Sequence, residues 1–523
     1  MFFKARHFGV PCFFFIRQRH PGTIAKSMKR IFLFLVLGLV CHAGAADLPN
    51  IILTMGDDHG WEETGYNGHP YVKTPVLDEM ASSGLRLDHF YAGHPSCSPT
   101  RGSVMTGRHP NRYGTFAPNW STRPEEITVA QLLKKAGYAC GHFGKWHLGP
   151  VKKSSPTSPG AMGFDEWLSH DNFFELDPVL SRNGGKPEKF MGESSEIIID
   201  EAIRFMEKAR KKGKPFFVVV WYGSPHEPYS GLPKDLALYD DLPGKHPDKK
   251  VKLTSNETGR QVQRPLGDVL RERFAEITAM DRSLGTLRNH LKKTGAFENT
   301  LHWYCGDNGT PSSGLVASPF RGQKGQMYEG GTRVPGIIEW PARIGKGRHS
   351  DVKSVTSDML PTLCAIAGVP LPKRPLDGIN LVPLIEGKMK RRPSPIYFWS
   401  YDTRREAGLK LEPYLNDDQQ TGTTPLVKLS GNIATRNFKN LIHPKVTPGD
   451  LVGDRVAVDG DFKLVIRGKN VKPSSVELFD LKKDPAEKKN LAEEKPAQVK
   501  KMEEGLNQWQ HSVMKSLTGA DYQ

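Results

Sequence analysis

Short apolar runs alternate with helical patterns along most of this 523-residue chain, and this alternation restricts the fold more than any other feature. Three runs predict buried strands: residues 48–55, 216–222 and 300–305. Amphipathic helices are predicted between them: from Thr74-Pro75 to Gly84, from the capping box at Thr128 to Gly137, over 199–206, and over 270–291. Strands separated by helices predict a mostly parallel sheet covered on both faces, so the fold class is α/β.

The C-terminal quarter has a different pattern. A chain of this length exceeds one ordinary domain, and a basic linker at 388–393 precedes shorter strand-like segments. Residues 455–459 and 461–466, joined at Gly460, predict a hairpin, and a terminal helix is predicted beyond Pro496. We therefore predict a catalytic domain over residues 47–389 and a smaller α+β domain over 390–523, with no assignment for 401–450.

The first 46 residues predict export. Lys29-Arg30 precedes the apolar run 31–40, and small residues follow up to Ala46. This pattern is typical of a secretory signal peptide and is too short for a spanning helix. We expect Met28 to be the true start, the protein to be secreted or periplasmic, and no stable membrane anchor to remain. Cys41 is disfavoured as a lipid-anchor site because Val40 before it is bulky.

The charge and the cysteine content of the chain exclude few functions. Without residues 1–46 the chain has 66 basic and 57 acidic residues, a net charge of +9. This favours polyanionic partners slightly, although ordinary solubilising charge explains it equally well, and no nucleic acid is predicted as a partner. Four cysteines remain, which is too few for a disulfide framework. Three of them either form one bridge or are small buried hydrophobic residues: Cys140, Cys305 and Cys364.

Acidic and histidine-bearing turns follow three of the predicted strands. They are 57–60, 224–228 and 306–309, at the sheet edge where α/β proteins bind ligands. Four side chains there offer oxygen ligands: Asp57, Asp58, Asp307 and Asn308. Such a set suits a hard divalent cation, Ca²⁺ or a hydrated Mg²⁺. The alternative is that each is an Asx-type turn.

Cys97 lies in a run that predicts reactivity. Pro99 suits the first turn of a helix, so Cys97 would lie at a helix N-terminus, where free N–H groups favour an anion. Arg101 follows one helical turn later and can reach the same point. The spacing of four between cysteine and arginine excludes a tyrosine-phosphatase loop, which requires six.

The run from Cys97 to Arg101 resembles the C-x-P-S/T-R signature of the formylglycine-dependent, arylsulfatase-like sulfatases of the alkaline-phosphatase-like superfamily. Further stretches similar to that family follow in order: 144–149, 224–226, 306–309, Lys324 with 329–331, and 477–491. The resemblance covers roughly residues 48–495 and is weakest over 401–450. It implies a large mixed sheet between helices.

The resemblance also implies roles for these residues. A formylglycine-generating enzyme would oxidise Cys97, and one hydroxyl of the hydrated aldehyde would attack sulfur while the other later expels sulfate. The modified Cys97 would join Asp57, Asp58, Asp307 and Asn308 around Ca²⁺ or Mg²⁺. Four further roles are implied: Arg101 orients the diol, Lys145 and Lys324 bind sulfate oxygens, His147 is the base, and His226 protonates the leaving oxygen.

The implied activity is hydrolysis of a sulfate ester, on a sulfated carbohydrate or on an aryl sulfate. The carbohydrate is preferred because exported members of the family usually act on one and because the surface is basic. Two alternatives stay open: a phosphonate or phosphate ester hydrolase with the same nucleophile, and a non-catalytic polyanion-binding homologue that keeps the thiol of Cys97. The sequence does not determine the sugar, the sulfated position or the oligomeric state.

Overall fold

The computed structural model of the chain describes residues 48–255, 260–425, 437–468 and 473–522. The predicted signal peptide and the start at Met28 lie outside these residues. From Pro49 onward, contacts gather the chain into one compact unit. The division at residues 389 and 390 stays a prediction. Among the described residues, no helix has the length and apolarity needed to cross a membrane.

The strands of the described residues fall into four sheets. In chain order they are β1 (Asn50–Gly56), β2 (Leu85–Leu87), β3 (Phe90–Tyr91), β4 (Ala139–Lys145), β5 (Glu166–His170), β6 (Val179–Arg182), β7 (Glu188–Lys189), β8 (Phe216–Trp221), β9 (Lys250–Thr254), β10 (Gln261–Pro265), β11 (Thr300–Gly306), β12 (Arg333–Val334), β13 (Gly336–Glu339), β14 (Arg348–Ser350), β15 (Ser354–Val355), β16 (Ile396–Tyr401), β17 (Gly453–Asp459), β18 (Phe462–Gly468) and β19 (Pro473–Asp480).

Helices of seven residues or more are α1 (Pro75–Ser83), α2 (Cys97–Thr106), α3 (Val129–Lys135), α4 (Ser194–Lys211), α5 (Leu266–Lys293), α6 (Met359–Ala367) and α7 (Pro496–Leu517). Single helical turns occur at Pro233–Leu236, Leu242–Lys245, Glu329–Thr332, Val382–Ile385 and Asp417–Gln420. The capping box at Thr128 is present at the start of α3, as predicted. Helix α1 also begins at Pro75, but the hydroxyl of Thr74 donates to Asp78 and does not cap the backbone.

The main sheet has ten strands in the order β14-β2-β13-β11-β1-β8-β4-β5-β6-β7. Its five central strands, from β11 to β5, run parallel. Antiparallel pairs extend it on both sides, except that the edge strand β14 pairs in parallel with β2. All six residues of β8 are buried, as expected for a strand covered on both faces. The predicted α/β class with a large, mixed sheet between helices is confirmed.

Helices α4 and α5 cover one face of this sheet. The apolar side of α5 predicted from Leu270 to Leu291 is buried. Its second half packs against the sheet and α4, and its first half packs against Val72, Tyr239 and Leu242. Asp281 interrupts that side, and its carboxylate accepts the backbone N–H groups of Val76 and Leu77 at the first turn of α1. Its role is structural because it fixes a helix start.

A smaller antiparallel sheet follows, in the order β16-β17-β18-β19. The predicted hairpin is β17 and β18, and the predicted terminal helix is α7, which packs on this sheet. Cys140, Cys305 and Cys364 are buried and form no disulfide, so the interpretation as small hydrophobic residues is confirmed.

Candidate active site

The carboxyl ends of four adjacent parallel strands carry the predicted site residues. Asp57 and Asp58 follow β1, Lys145 ends β4, His226 follows β8, and Asp307 follows β11. Strand β1 lies between β8 and β11, and β4 lies beside β8. This sheet order brings together turns that are up to 250 residues apart in the chain.

Cys97 is the first residue of α2, and it is buried beside the turn after β1. Its Sγ lies 3.5 Å from Asp57 Oδ1 and 3.8 Å from Asp58 Oδ1. Burial, with the added effect of the nearby carboxylates, raises the pKa of the thiol well above its ordinary value. An unmodified Cys97 would therefore stay protonated at neutral pH and would be a poor nucleophile.

Three cationic side chains pair with three carboxylates around Cys97. Lys145 Nζ lies 2.6 Å from Asp57 Oδ2, and Lys324 Nζ lies 2.7 Å from Asp58 Oδ2. The guanidinium of Arg101 contacts Asp307 Oδ2 at 2.7 Å through Nη2 and at 3.2 Å through Nε. All of these side chains are fully buried except that of Lys324, which is 24% exposed. Each pair is thus ordered and almost closed to water.

The carboxylates differ in how their surroundings affect ionisation. Burial disfavours the charge of Asp57, but Lys145, His226 and Arg101 outweigh it and hold the pKa of Asp57 well below the usual range. Burial and the charge of Asp57 raise the pKa of Asp307 to about 7. Three carboxylates at one point repel each other, and a bound cation would relieve that repulsion.

The two histidines next to this cluster of charges contact different residues. His226 stacks on Phe173 at 4.6 Å between ring centroids, and its Nε2 is 3.7 Å from Asp58 Oδ2. Burial, with the charge of Lys324, lowers the pKa of His226 to about 4. His147 has a left-handed backbone (φ 55°), and its Nε2 lies 3.2 Å from Asn119 Oδ1. Burial and Lys145 hold the pKa of His147 well below its ordinary value, so it is neutral.

Asn308 has the feature that most directly indicates a cation. Its Nδ2 donates to Asp58 Oδ1 at 2.9 Å and to the carbonyl of Gly309. Its Oδ1 is buried and has no hydrogen-bond partner among the described residues. Ligand atoms of Asp57, Asp58, Cys97 and His226 lie within 4.8 Å of one another next to it. A buried acceptor without a donor beside carboxylates fits a hard divalent cation.

A buried ion pair that the sequence analysis missed holds the two turns in place. Arg273 of α5 contacts Glu63 at 2.7 Å through Nε and at 2.6 Å through Nη2. The same guanidinium donates to the carbonyl of Asp58 at 2.7 Å and to that of Pro225 at 2.5 Å. The sequence offered one sign of this ion pair, because Arg273 is a charged residue within the apolar side of α5, as Asp281 is.

The small sheet holds the loop that carries Lys324. Arg321 Nη1 and the hydroxyl of Tyr328 both donate to Glu477 on β19. Glu329 donates its N–H to Glu487, and its carboxylate lies 3.0 Å from Lys463 Nζ on β18. Residues on both sides of Lys324 are therefore fixed by the C-terminal part of the chain, including the stretch 477–491 that the sequence analysis singled out.

The sequence profile of the sulfatase family matches residues 49–369, more than half of the chain. The chain belongs to the sulfatase family. Human N-acetylgalactosamine-6-sulfatase is 32% identical over 406 residues, which cover 70% of this chain and 71% of that protein. Human arylsulfatase A is 32% identical over 402 residues, covering 70% of this chain and 73% of that protein.

Solved structures agree on the fold. Ps i-CgsB, crystallised with k-i-k-neocarrahexaose, has a TM-score of 0.70 and 24% identity, and the match covers 90% of this chain and 94% of that one. The family match and the identity to the two human sulfatases make this protein a sulfatase, a hydrolase of sulfate esters. The sulfatase family generally uses a metal ion and a formylglycine, and the cluster around Cys97 is the candidate metal site of this sulfatase.

Proposed function

We propose that this sulfatase removes sulfate from a sulfated carbohydrate with a formylglycine made from Cys97 and a bound Ca²⁺. The observation that carries the proposal is the position of Cys97: its Sγ contacts Asp57 and Asp58 while Lys145 and Lys324 pair with the same carboxylates. The carbohydrate is supported by two of the compared proteins, a human N-acetylgalactosamine-6-sulfatase and an oligosaccharide complex.

Asp57, Asp58, Asp307 and Asn308 would hold the cation together with the modified residue 97. Bound Ca²⁺ supplies a charge that neutralises a sulfate oxygen and acidifies a hydroxyl. Because three cationic side chains already balance three carboxylates, a divalent cation gives the site an excess of positive charge. This excess attracts the anionic sulfate ester. Mg²⁺ remains the alternative ion.

The hydrated formylglycine supplies a hydroxyl nucleophile and a second hydroxyl on the same carbon. Arg101, fixed by two contacts to Asp307, would orient residue 97 from one helical turn away. Lys145 and Lys324 would bind the sulfate oxygens and stabilise the charge that develops on them. Both lysines have three donor protons, so each can serve a carboxylate and an oxygen of the substrate.

The two histidines would move the protons. His147 is neutral, and its Nδ1 is buried without a partner among the described residues, so a lone pair is available to accept a proton. His226 would donate to the leaving oxygen from Nε2. Its low pKa in the free site, about 4, would rise when a sulfate anion is bound beside it.

Export and maturation belong to the same proposal. A formylglycine-generating enzyme would modify Cys97 during secretion or transfer to the periplasm. Mass spectrometry of the peptide that contains residue 97, from the native source, tests this step. Formylglycine is the expected result, and a thiol alone would support the non-catalytic, polyanion-binding alternative.

Parallel assays test the reaction. The matured enzyme should cleave the sulfate ester of a phenol faster than the phosphate ester of the same phenol, and a preference for phosphate would refute the sulfatase proposal in favour of the phosphonate or phosphate alternative. Sulfate release from sulfated oligosaccharides should then exceed that from the aryl sulfate in kcat/KM. A higher kcat/KM for the aryl sulfate would refute the carbohydrate assignment.

A further inference from the structure

A second cavity, with a volume of about 920 Å³, lies outside the cluster around Cys97. The linker residues 390–392, the hairpin turn 459–462, Trp61 and Phe320 are among the residues that line it. Its volume is in the range of small-molecule binding sites, about 300–1,000 Å³. None of the residues with a proposed catalytic or metal-binding role lines it.

The lining of this cavity is basic. Two of its cations are taken up by buried carboxylates outside it: Arg392 contacts Asp358 at 2.7 Å, and Arg333 lies 3.6 Å from Glu329. Five further cations line it: Lys353, Lys390, Arg391, Lys482 and Lys501. They face three carboxylates, those of Asp351, Asp459 and Asp461, so two positive charges are in excess.

Two of these cations have no carboxylate partner. Among the described residues, neither Lys390 nor Lys482 takes part in an ion pair, and both side chains are exposed at the cavity. The other three cations have carboxylate partners: Lys501 is 3.3 Å from Asp459, Lys353 is 3.6 Å from Asp461, and Arg391 is 4.0 Å from Asp459. A cavity lined by an excess of cations, two of them without a carboxylate partner among the described residues, attracts an anionic ligand.

The carboxylates among the cations indicate which anion fits. A nucleic acid has a phosphate at every residue and would be repelled by the three carboxylates. A sulfated sugar chain alternates sulfate groups, which suit the lysines, with hydroxyl groups, which can donate to Asp351, Asp459 and Asp461. Trp61 and Phe320 pack edge to face at 4.9 Å between centroids and add an apolar wall against which a sugar ring can pack.

The cavity is connected to the site around Cys97 through two loops. Trp61 is three residues after Asp58, and Phe320 is four residues before Lys324. The guanidinium of Arg333 lies over both aromatic rings, 5.1 Å from that of Trp61 and 4.6 Å from that of Phe320. A chain bound in the cavity would therefore contact the same loops that carry a proposed metal ligand and a proposed sulfate-binding lysine.

We propose that this cavity is a non-catalytic binding site for a sulfated polysaccharide, which holds the polymer while another of its sulfate groups is hydrolysed. The inference rests on the proposed function because it assumes that the substrate is a carbohydrate chain. It goes beyond that function by assigning a second site to the polymer. Short substrates would not reach both sites, so only polymeric substrates would gain affinity from it.

Binding can be measured without turnover in the Cys97→Ala protein, with dextran sulfate as the probe. The paired charge reversals Lys390→Glu and Lys482→Glu should weaken binding about tenfold at moderate salt, because two cationic contacts are lost. The control variant carries Lys212→Glu and Lys214→Glu, the same charge change at two exposed lysines just before the amino end of β8. It should bind dextran sulfate within about twofold of the parent. Unsulfated dextran should not bind.

Three results would overturn the proposal: equal binding by the Lys390/Lys482 variant and its control, displacement of dextran sulfate by inorganic sulfate at the same sulfate concentration, or equally tight binding of a short DNA duplex. The last two would indicate an isolated anion site or a general polyanion surface. Thermal unfolding of the variant should match that of the parent, because both lysines are exposed.

Kinetics of the matured enzyme separate this proposal from the proposed function. The Lys390/Lys482 variant should raise KM for a sulfated polysaccharide by about tenfold and leave kcat for a small aryl sulfate unchanged. An equal change on both substrates would refute a separate polymer site. If the enzyme hydrolysed only phosphate esters, the proposed function would be wrong. The binding measurement on the Cys97→Ala protein would still show whether the cavity binds a sulfated polymer.

Discussion

Lys463 of β18 places one ammonium group between two buried carboxylates, and its replacement tests how the small sheet supports the loop that carries Lys324. Its Nζ is 3.0 Å from Glu329 Oε1 and 3.0 Å from Glu487 Oε1, and none of the three side chains is more than 1% exposed. Lys463→Met keeps the apolar stem and removes the charge. Two carboxylates would then face each other in a site closed to water.

The expected loss of stability depends on the contacts that each carboxylate keeps in Lys463→Met. Removing one partner of a buried ion pair typically destabilises a protein by about 3–5 kcal/mol. Glu329 keeps Arg333 at 3.6 Å and the hydroxyl of Tyr91 at 3.1 Å, and burial already raises the pKa of Glu487 to about 7, so it can take up a proton. We therefore expect the lower end of that range, about 3 kcal/mol.

Denaturant unfolding followed by tryptophan fluorescence measures this loss. The matched control is Lys489→Met, which breaks an exposed 2.8 Å pair with Glu494 and should lower the free energy of unfolding by less than about 1 kcal/mol. The double variant Lys463→Met with Glu487→Gln removes one unpaired charge and should recover at least half of the loss. Because the Lys324 loop ends at Glu329, kcat should also fall about tenfold in Lys463→Met.

Two results would refute this reasoning. The first is that Lys463→Met unfolds at the same denaturant concentration as Lys489→Met. The second is that the double variant is no more stable than Lys463→Met. Either outcome would mean that Lys463 does not compensate a buried charge, and that the Lys324 loop is held by its other contacts to Glu477.

Three further predictions concern the site and the core. Cys97→Ala should abolish turnover with unchanged thermal unfolding, and full activity of this variant would exclude formylglycine. Cys97→Ser should be poorly active unless the maturation enzyme accepts serine. Removal of divalent cations by a chelator should abolish activity, and Ca²⁺ should restore it. Calorimetry should show that Asn308→Ala binds Ca²⁺ at least about tenfold more weakly, and unchanged binding would exclude Asn308 as a ligand. Burial raises the pKa of Asp281 to about 7, so the folded state keeps a proton that the unfolded state releases, and stability falls as pH rises from about 4 to 7. The unfolding temperature of Asp281→Asn minus that of the wild type should therefore be more positive at pH 8 than at pH 5, and the reverse order would contradict the raised pKa.

Much of the fold was predictable because its signals are local. Strands β1, β8 and β11, the start of α1 at Pro75 and the capping box of α3 each depend on residues within one short window. The hairpin of β17 and β18 was predicted for the same reason. Strands β16 and β19 were not identified, because buried and less buried residues do not alternate strictly along these two outer strands of the small sheet.

The region 401–450 has contacts that local sequence patterns do not predict. Thr424 donates its N–H and its hydroxyl to Asp171 Oδ2, both at 2.8 Å, and Phe438 packs against His147 at 6.2 Å between ring centroids. The described residues of this region therefore border the candidate site, although few of them lie in helices or strands. Its partners are more than 250 residues away in sequence, so no window of sequence contains the contact.

The sequence by itself determined the residue types at the strand ends, the cysteine at a helix N-terminus and the resemblance to sulfatases, because these depend on short stretches of chain. The tertiary structure decided which charges meet. Lys145 pairs with Asp57 and Lys324 with Asp58, Arg273 joins two turns, and the cavity at Lys390 lies beside the loops of the site. The physical reason is the sheet order β11-β1-β8-β4, in which neighbours in space are far apart in the chain.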